Sequence, residues 1–179
     1  MRTTLLFFLC TLLAGCVESN IPLSPFAALP LGHPLLGTWV HRDQKEQVYL
    51  HIGNEENGLK LLQVELDDKG ALKSESYQAS ATTLAGKDYL SIRLSEKDRV
   101  FYYIWKFRIA ENGTLTFWAP DHKFMEKAVN QGLIAGEAHA GKFITVVKLS
   151  ADQQALQRFI AEHDAKIFSD ESSTLKRLK

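Results

Sequence analysis

The chain has 179 residues, 45% of them hydrophobic and 23% charged, with 21 basic and 21 acidic side chains and no formal net charge. That length suits one domain, large enough to bury roughly two-thirds of its unfolded surface without metal or disulfide staples. Nothing in the charge balance supplies the basic patch or stripe that nucleic-acid recognition requires, so nucleic acid is not an expected partner.

The first elements are read from the N-terminus. Arg2 precedes an apolar run of nine residues, 5–13. A membrane-spanning helix needs about twenty, so this run reads as the core of a secretion signal. Ala14 and Gly15 are the small residues a signal peptidase requires beside its cut, and Cys16 follows them directly. Leu13-Ala14-Gly15-Cys16 resembles the lipobox of bacterial lipoprotein precursors. An ordinary signal peptide with an incidental Cys16 is the alternative, but charge, apolar length and motif position agree on the lipoprotein reading.

The resemblance implies cleavage of residues 1–15 and lipid attachment at Cys16, with a diacylglyceryl thioether and a further acyl chain such as palmitate on the amine. Two or more chains anchor stably where one does not. Position 17 is Val rather than the Asp that resembles an inner-membrane retention signal in enterobacteria. The expected location is therefore the cell envelope, at the outer membrane facing the periplasm. Cleavage leaves 164 residues with a net charge of −1 and Cys16 as the sole cysteine. The folded domain would then have no disulfide, no Cys-ligated zinc and no thiolate nucleophile.

Residues 16–34 contain the lipidated Cys and Pro22, Pro25, Pro30 and Pro34. Proline fixes φ and disfavours helix before it, so this segment is expected to be an extended tether. At roughly 3.1 Å per residue it would reach up to about 55 Å. Its apolar members suggest that residues 26–31 lie against the domain.

Residues 35–179 form the expected domain. Short alternating runs separated by turn residues predict strands over 36–42, 47–53, 59–66, 76–84, 89–94, 100–109, 114–119 and, as the eighth, 143–149. Asn112-Gly113 marks a hairpin. Helices are expected over 122–132, after Pro120-Asp121, and from Ser150, which with Gln153 fits a capping box. Residues 136–141, small and glycine-flanked, suggest a mobile loop or lid. Residues 173–178 read as a last short strand.

Closing eight antiparallel strands into a barrel removes their edges. Gly37-Thr38-Trp39 on the first strand is similar to the G-x-W signature of the lipocalin family, and the order of elements is similar too. The expected fold is thus mainly β: an eight-stranded antiparallel lipocalin-like barrel, with one helix between strands 7 and 8 and a C-terminal helix. The family's T-D-x turn is missing before the seventh strand, where Glu111-Asn112-Gly113 stands. The resemblance implies that Trp39 packs across the closed end of the barrel.

Phe101, Tyr103, Trp105 and Phe107 alternate along the longest strand and form one apolar face. They are the candidate ligand-binding residues for an apolar small molecule, or else simple filler of the barrel. The six histidines show no metal-ligand spacing, and no nucleophile–base pair or phosphate loop can be read, so neither cofactor nor enzyme activity is expected. Two functions remain: a membrane-anchored barrel binding or shielding a small apolar ligand, and an envelope protein–protein interaction module with a solid core.

Overall fold

Alternating side chains and tight turns bring consecutive strands together as hairpins, and here the hairpins close on themselves. The computed structural model describes residues 17–42, 47–66, 70–140, 145–169 and 172–178; the lipobox with Cys16 lies outside them. Its elements are β1 (Val17–Ser19), β2 (Gly37–Arg42), β3 (Gln47–Glu55), β4 (Gly58–Leu66), β5 (Leu72–Leu84), β6 (Lys87–Glu96), β7 (Arg99–Ile109) and β8 (Thr114–Trp118). Then come α1 (His122–Asn130), β9 (Gly136–Ala140), β10 (Thr145–Leu149), α2 (Gln153–Ile167) and β11 (Ser172–Arg177). Strands β2 to β8 pair antiparallel in sequence, and β11 pairs antiparallel with both β8 and β2. The result is the expected closed eight-stranded antiparallel barrel, with a helix after the seventh barrel strand and another toward the C-terminus.

The strand that closes the ring is not the expected one. Residues 145–149 form β10, which lies outside the barrel between β1 and β9. The closing strand is β11, the segment read as a last short extra strand. Its sequence, Ser-Ser-Thr-Leu-Lys-Arg, buries Leu175 alone and so shows little alternation. The Val147 and Leu149 side chains of β10 are buried, but in a second apolar layer outside the barrel.

That second layer covers the outer wall around β6 and β7. Tyr89 and Ile104 are buried there against Met125, Ala128 and Val129 of α1 and Leu156, Phe159, Ile160 and Ile167 of α2. Both helices start on an aspartate. Asp121 accepts from Phe124 N at 2.9 Å, and Asp152 from Ala155 N at 2.8 Å. The expected cap at Ser150 is thus displaced by two residues, because a carboxylate at 152 satisfies the first-turn donors while Ser150 N donates to Ala135 O.

The tether expectation for residues 16–34 also requires correction from Val17 onward. Val17, Glu18 and Ser19 are buried as β1, in parallel register with Val147, Lys148 and Leu149. Leu23 is fully buried, and its N donates to Ser91 Oγ at 2.9 Å. Gln153 and Gln157 of α2 donate to the Pro22 and Leu23 carbonyls. Further along, Asn54 clasps Leu29 through both its backbone groups, at 3.0 and 2.8 Å. After β1 the proline-rich part forms neither helix nor strand and ends in two turns, His33 N donating to Pro30 O and Leu36 N to His33 O at 3.0 Å each. Apolar residues and the hydrogen bonds with Ser91, α2 and Asn54 lay it along the barrel as a strap. Residues 26–31 do contact the domain, with Phe26 6.0 Å from the Tyr102 ring and Leu29 against the barrel core, while Val17 and Leu23 are buried more deeply.

The expected lid is likewise ordered over its described part. Residues 136–140 form β9, paired along its whole length with β10. A Cβ on Gly136 would lie 2.5 Å from Lys148 O, so the small residues permit close strand pairing rather than motion.

The β5–β6 turn, Ala85-Gly86, has positive φ at both residues, +50° and +74°. This twist suits a two-residue hairpin, but Ala carries the left-handed penalty of an L side chain. Ala85→Gly is expected to stabilise the protein by about 1 kcal/mol, raising Tm by roughly 2–4 °C in a thermal melt; an unchanged or lower Tm would contradict this reading.

Candidate functional site

Period-two alternation turns Phe101, Tyr103, Trp105 and Phe107 of β7 into the barrel, and all four are buried. The rings make tilted and edge contacts: Phe101 with Tyr103 at 5.6 Å, Trp105 with Phe117 at 6.1 Å, and Phe107 with Phe117 at 6.3 Å between centroids. Trp39, Ile52, Leu59, Leu61 and Ile92 pack in the same cluster. An eight-stranded barrel has room for side chains or one small ligand, and along this stripe side chains occupy it.

One end of the interior is capped. Trp39 Nε1 donates to Leu35 O at 3.0 Å, and the Arg177 guanidinium lies over the indole at 4.4 Å. Arg177 also donates to the Leu36 and Pro34 carbonyls. A Cβ at position 37 would sit 2.6 Å from Arg177 Nη1, and Gly37 has φ +136°. The Gly-x-Trp spacing therefore has a local cause: the glycine clears a path for the arginine that covers the tryptophan.

Elsewhere the wall opens. The β5–β6 ladder runs from Leu84↔Lys87 only as far as Gln78↔Arg93. Beyond that pair β5 continues beside β4, whereas β6 continues beside β7. A cleft of about 570 Å³ lies where they diverge, lined by Tyr77, Gln78, Arg93, Leu94, Glu96 and Phe101 among others. Phe101 is the one member of the four-residue stripe that borders it; Tyr103, Trp105 and Phe107 belong to the packed interior. Arg93 Nη1 donates to Gln78 Oε1 at 2.8 Å on the outer lip. The cleft residues other than Phe101 had no motif to announce them. No local sequence signal marks the cleft: β5 has thirteen residues and β6 ten, and the gap follows from where their ladder ends.

A buried ionic cluster fastens the outer layer. Asp164 of α2 is 3% exposed and accepts from Lys87 Nζ, Lys106 Nζ and Tyr89 OH, each at 2.7 Å. Burial alone would raise its carboxyl pKa, but hydrogen bonds from Lys106, Lys87 and Tyr89 outweigh it and hold the group below its ordinary range. Burial, and then the bond to Asp164, push the Tyr89 phenol upward. The cluster was legible in one respect: Leu156, Ile160 and Asp164 follow at intervals of four, placing an acid on the buried face of a helix. It lies under α2, so it reads as a structural latch.

Among the described residues, no group of three or more His, Cys, Asp or Glu side chains is placed to hold a metal ion. His41 and His51 engage Thr174 O and Thr38 Oγ1 respectively. No helix of the described residues is long and apolar enough to cross a membrane. A scan against protein-family models, a search of curated proteins and a search of solved structures each returned no match.

Removing the Asp164 carboxylate strands two lysines against a partly buried wall. Asp164→Ala is expected to cost about 1–3 kcal/mol at pH 7, measured by urea unfolding, since Lys87 and Lys106 both keep access to water. Because the folded-state pKa is depressed, the carboxylate's contribution is present above the ordinary value of roughly 3.9 and is lost as pH falls through the folded value. The gap between wild type and variant should therefore narrow below about pH 4. A gap independent of pH would show that the ionised carboxylate is not what holds α2.

Proposed function

We propose that the chain is a bacterial lipoprotein, anchored in the envelope through acyl chains on Cys16, whose lipocalin-like barrel binds a small, largely apolar molecule without catalysing a reaction. The observation that carries the ligand reading is the cleft between β5 and β6. Its volume falls within the range of small-molecule sites, about 300–1,000 Å³. Tyr77, Leu94 and Phe101 give it an apolar floor, and Gln78, Arg93 and Glu96 give it a polar rim. Apolar lining with a few polar groups is the usual composition of such sites.

This reading moves the ligand away from most of the aromatic stripe. Phe101 is kept as a contact, while Tyr103, Trp105 and Phe107 act as the wall behind it. The lipobox supports the anchor, and the Arg177-covered Trp39 behind Gly37 supports the likeness to lipocalins. The well-packed interior favours a second reading, in which the barrel is a rigid body whose surface engages another envelope protein.

Titration with an apolar fluorophore separates the two. Leu94 is half-buried at the cleft, so Leu94→Arg should weaken fluorophore binding by about tenfold or more, equivalent to roughly 1.4 kcal/mol, while leaving the fold intact by circular dichroism. No binding by the wild type, no co-purifying molecule in native mass spectra and one stoichiometric partner after cross-linking would replace the carrier with the interaction module. For the anchor, Cys16→Ser should move the protein from the membrane fraction to the aqueous one; persistence in the membrane would end the lipoprotein reading.

A further inference from the structure

We infer that the domain lies directly on the lipid surface, with the N-terminal end of α1 and the adjoining ends of β9 and β10 facing phospholipid headgroups. This inference rests on the proposed lipidation of Cys16. Adjacent Cα atoms are about 3.8 Å apart, so a single peptide unit joins the acylated residue to Val17. Val17 is 5% exposed and begins a strand in register with β10. A lipid anchor with a long tether would let the barrel tumble above the bilayer; an anchor attached to a buried strand does not.

The start of β1 is held from several sides. Glu18, also buried, forms a two-pronged ion pair with Arg99, whose guanidinium stacks on Phe101 at 4.4 Å. Asn20 N donates to Leu149 O at 3.1 Å. Val17, Val147 and α1 share one apolar cluster. Lifting β1 away to make a spacer would expose these apolar groups and separate the Glu18–Arg99 pair.

Register shows what else lies at this end. Val17 faces Val147, and the residues preceding Val147 on β10 are Thr145 and Val146. Their partners on β9 are Ala140 and His139. His122 Nε2 donates to Thr145 O at 2.5 Å, which brings the first turn of α1 to the same place. Lys123 and Lys127 are exposed and one helical turn apart. Of the neighbouring acids, Asp121 caps the helix, Glu126 is half-buried and Glu137 pairs with His139 at 2.8 Å. The exposed lysines are thus available to anionic headgroups, which attract basic side chains lying within a Debye length.

The test uses the lipidated protein in vesicles of phosphatidylethanolamine and phosphatidylglycerol. The mature chain has no cysteine besides Cys16, so nitroxide labels at Lys123→Cys, Ala140→Cys and His51→Cys report single sites. His51 is exposed on β3, four strands from β7 in either direction around the ring. Headgroup-chelated nickel should relax the labels at 123 and 140 several-fold more strongly than the label at 51. Equal relaxation at all three positions would overturn the inference. A Gly/Ser spacer of about twenty residues inserted between Cys16 and Val17 should erase the difference, since its mean reach is roughly 25 Å. If the difference persists with the spacer, the short attachment is not what sets the orientation, and the inference fails. The intact mass keeps the two ideas distinct: absence of acyl chains removes the anchor and this inference together, whereas acylated protein without a relaxation gradient removes this inference alone.

Discussion

The constraint on which the rest of the structure depends is that β7 is apolar on both faces. Its inward residues fill the barrel, and its outward Ile104 is buried beside Tyr89 of β6. A barrel wall facing water on its outer side would leave these groups exposed, so the chain must supply a second layer. It does so with pieces far apart in sequence: the β1 strap, α1, the β9–β10 pair and α2. The outward face of β7 then turns polar at Lys106, and the layer answers with the acid it needs, Asp164. Tyr89 and Lys87 complete the acceptor's coordination, so the charge is satisfied before it is buried.

Building the domain in two layers changes how its ends behave. The N-terminal strand belongs to the outer layer and the C-terminal strand to the ring. Closure requires β11 to meet β2, and Leu178 N also donates to Thr38 O across that seam. Pairings of such sequence separation form slowly, because loop-closure entropy is lost before the contacts can compensate. The ring therefore cannot close until nearly the whole chain is available, whereas the hairpins from β2 to β8 can form locally. Arg177 performs two tasks at the seam, covering Trp39 and bonding to the carbonyls of Leu36 and Pro34.

Much of the ring was legible in the sequence because its signals are local. Alternation such as Leu90, Ile92 and Leu94, and turns such as Asn112-Gly113, place seven of its strands near their observed positions. The eighth differs from expectation because local hydrophobicity favours Thr145–Leu149 over Ser172–Arg177, and nothing local records which layer a strand joins. The strap shows the same limit. Its prolines mark a stretch without helix, yet burial of Val17, Ser19 and Leu23 depends on surfaces contributed by β10, β6 and α2. Ser91 looks like an ordinary outward polar residue until the Leu23 amide is brought to it.

The candidate cleft was illegible for a related reason, since it is a property of two ladders rather than of any residue. Neighbouring strands in a closed barrel follow one another only while twist and stagger keep them in register. After Gln78, β5 remains with β4 as far as Leu72, and after Arg93, β6 remains with β7 as far as Glu96. Each strand keeps one neighbour and the two part. The aromatic rings cannot seal the gap: Phe101 reaches its edge, but Tyr103, Trp105 and Phe107 are already committed to the interior. This open volume therefore arises where backbone pairing ends, while along the inward stripe of β7 the aromatic side chains fill the barrel themselves.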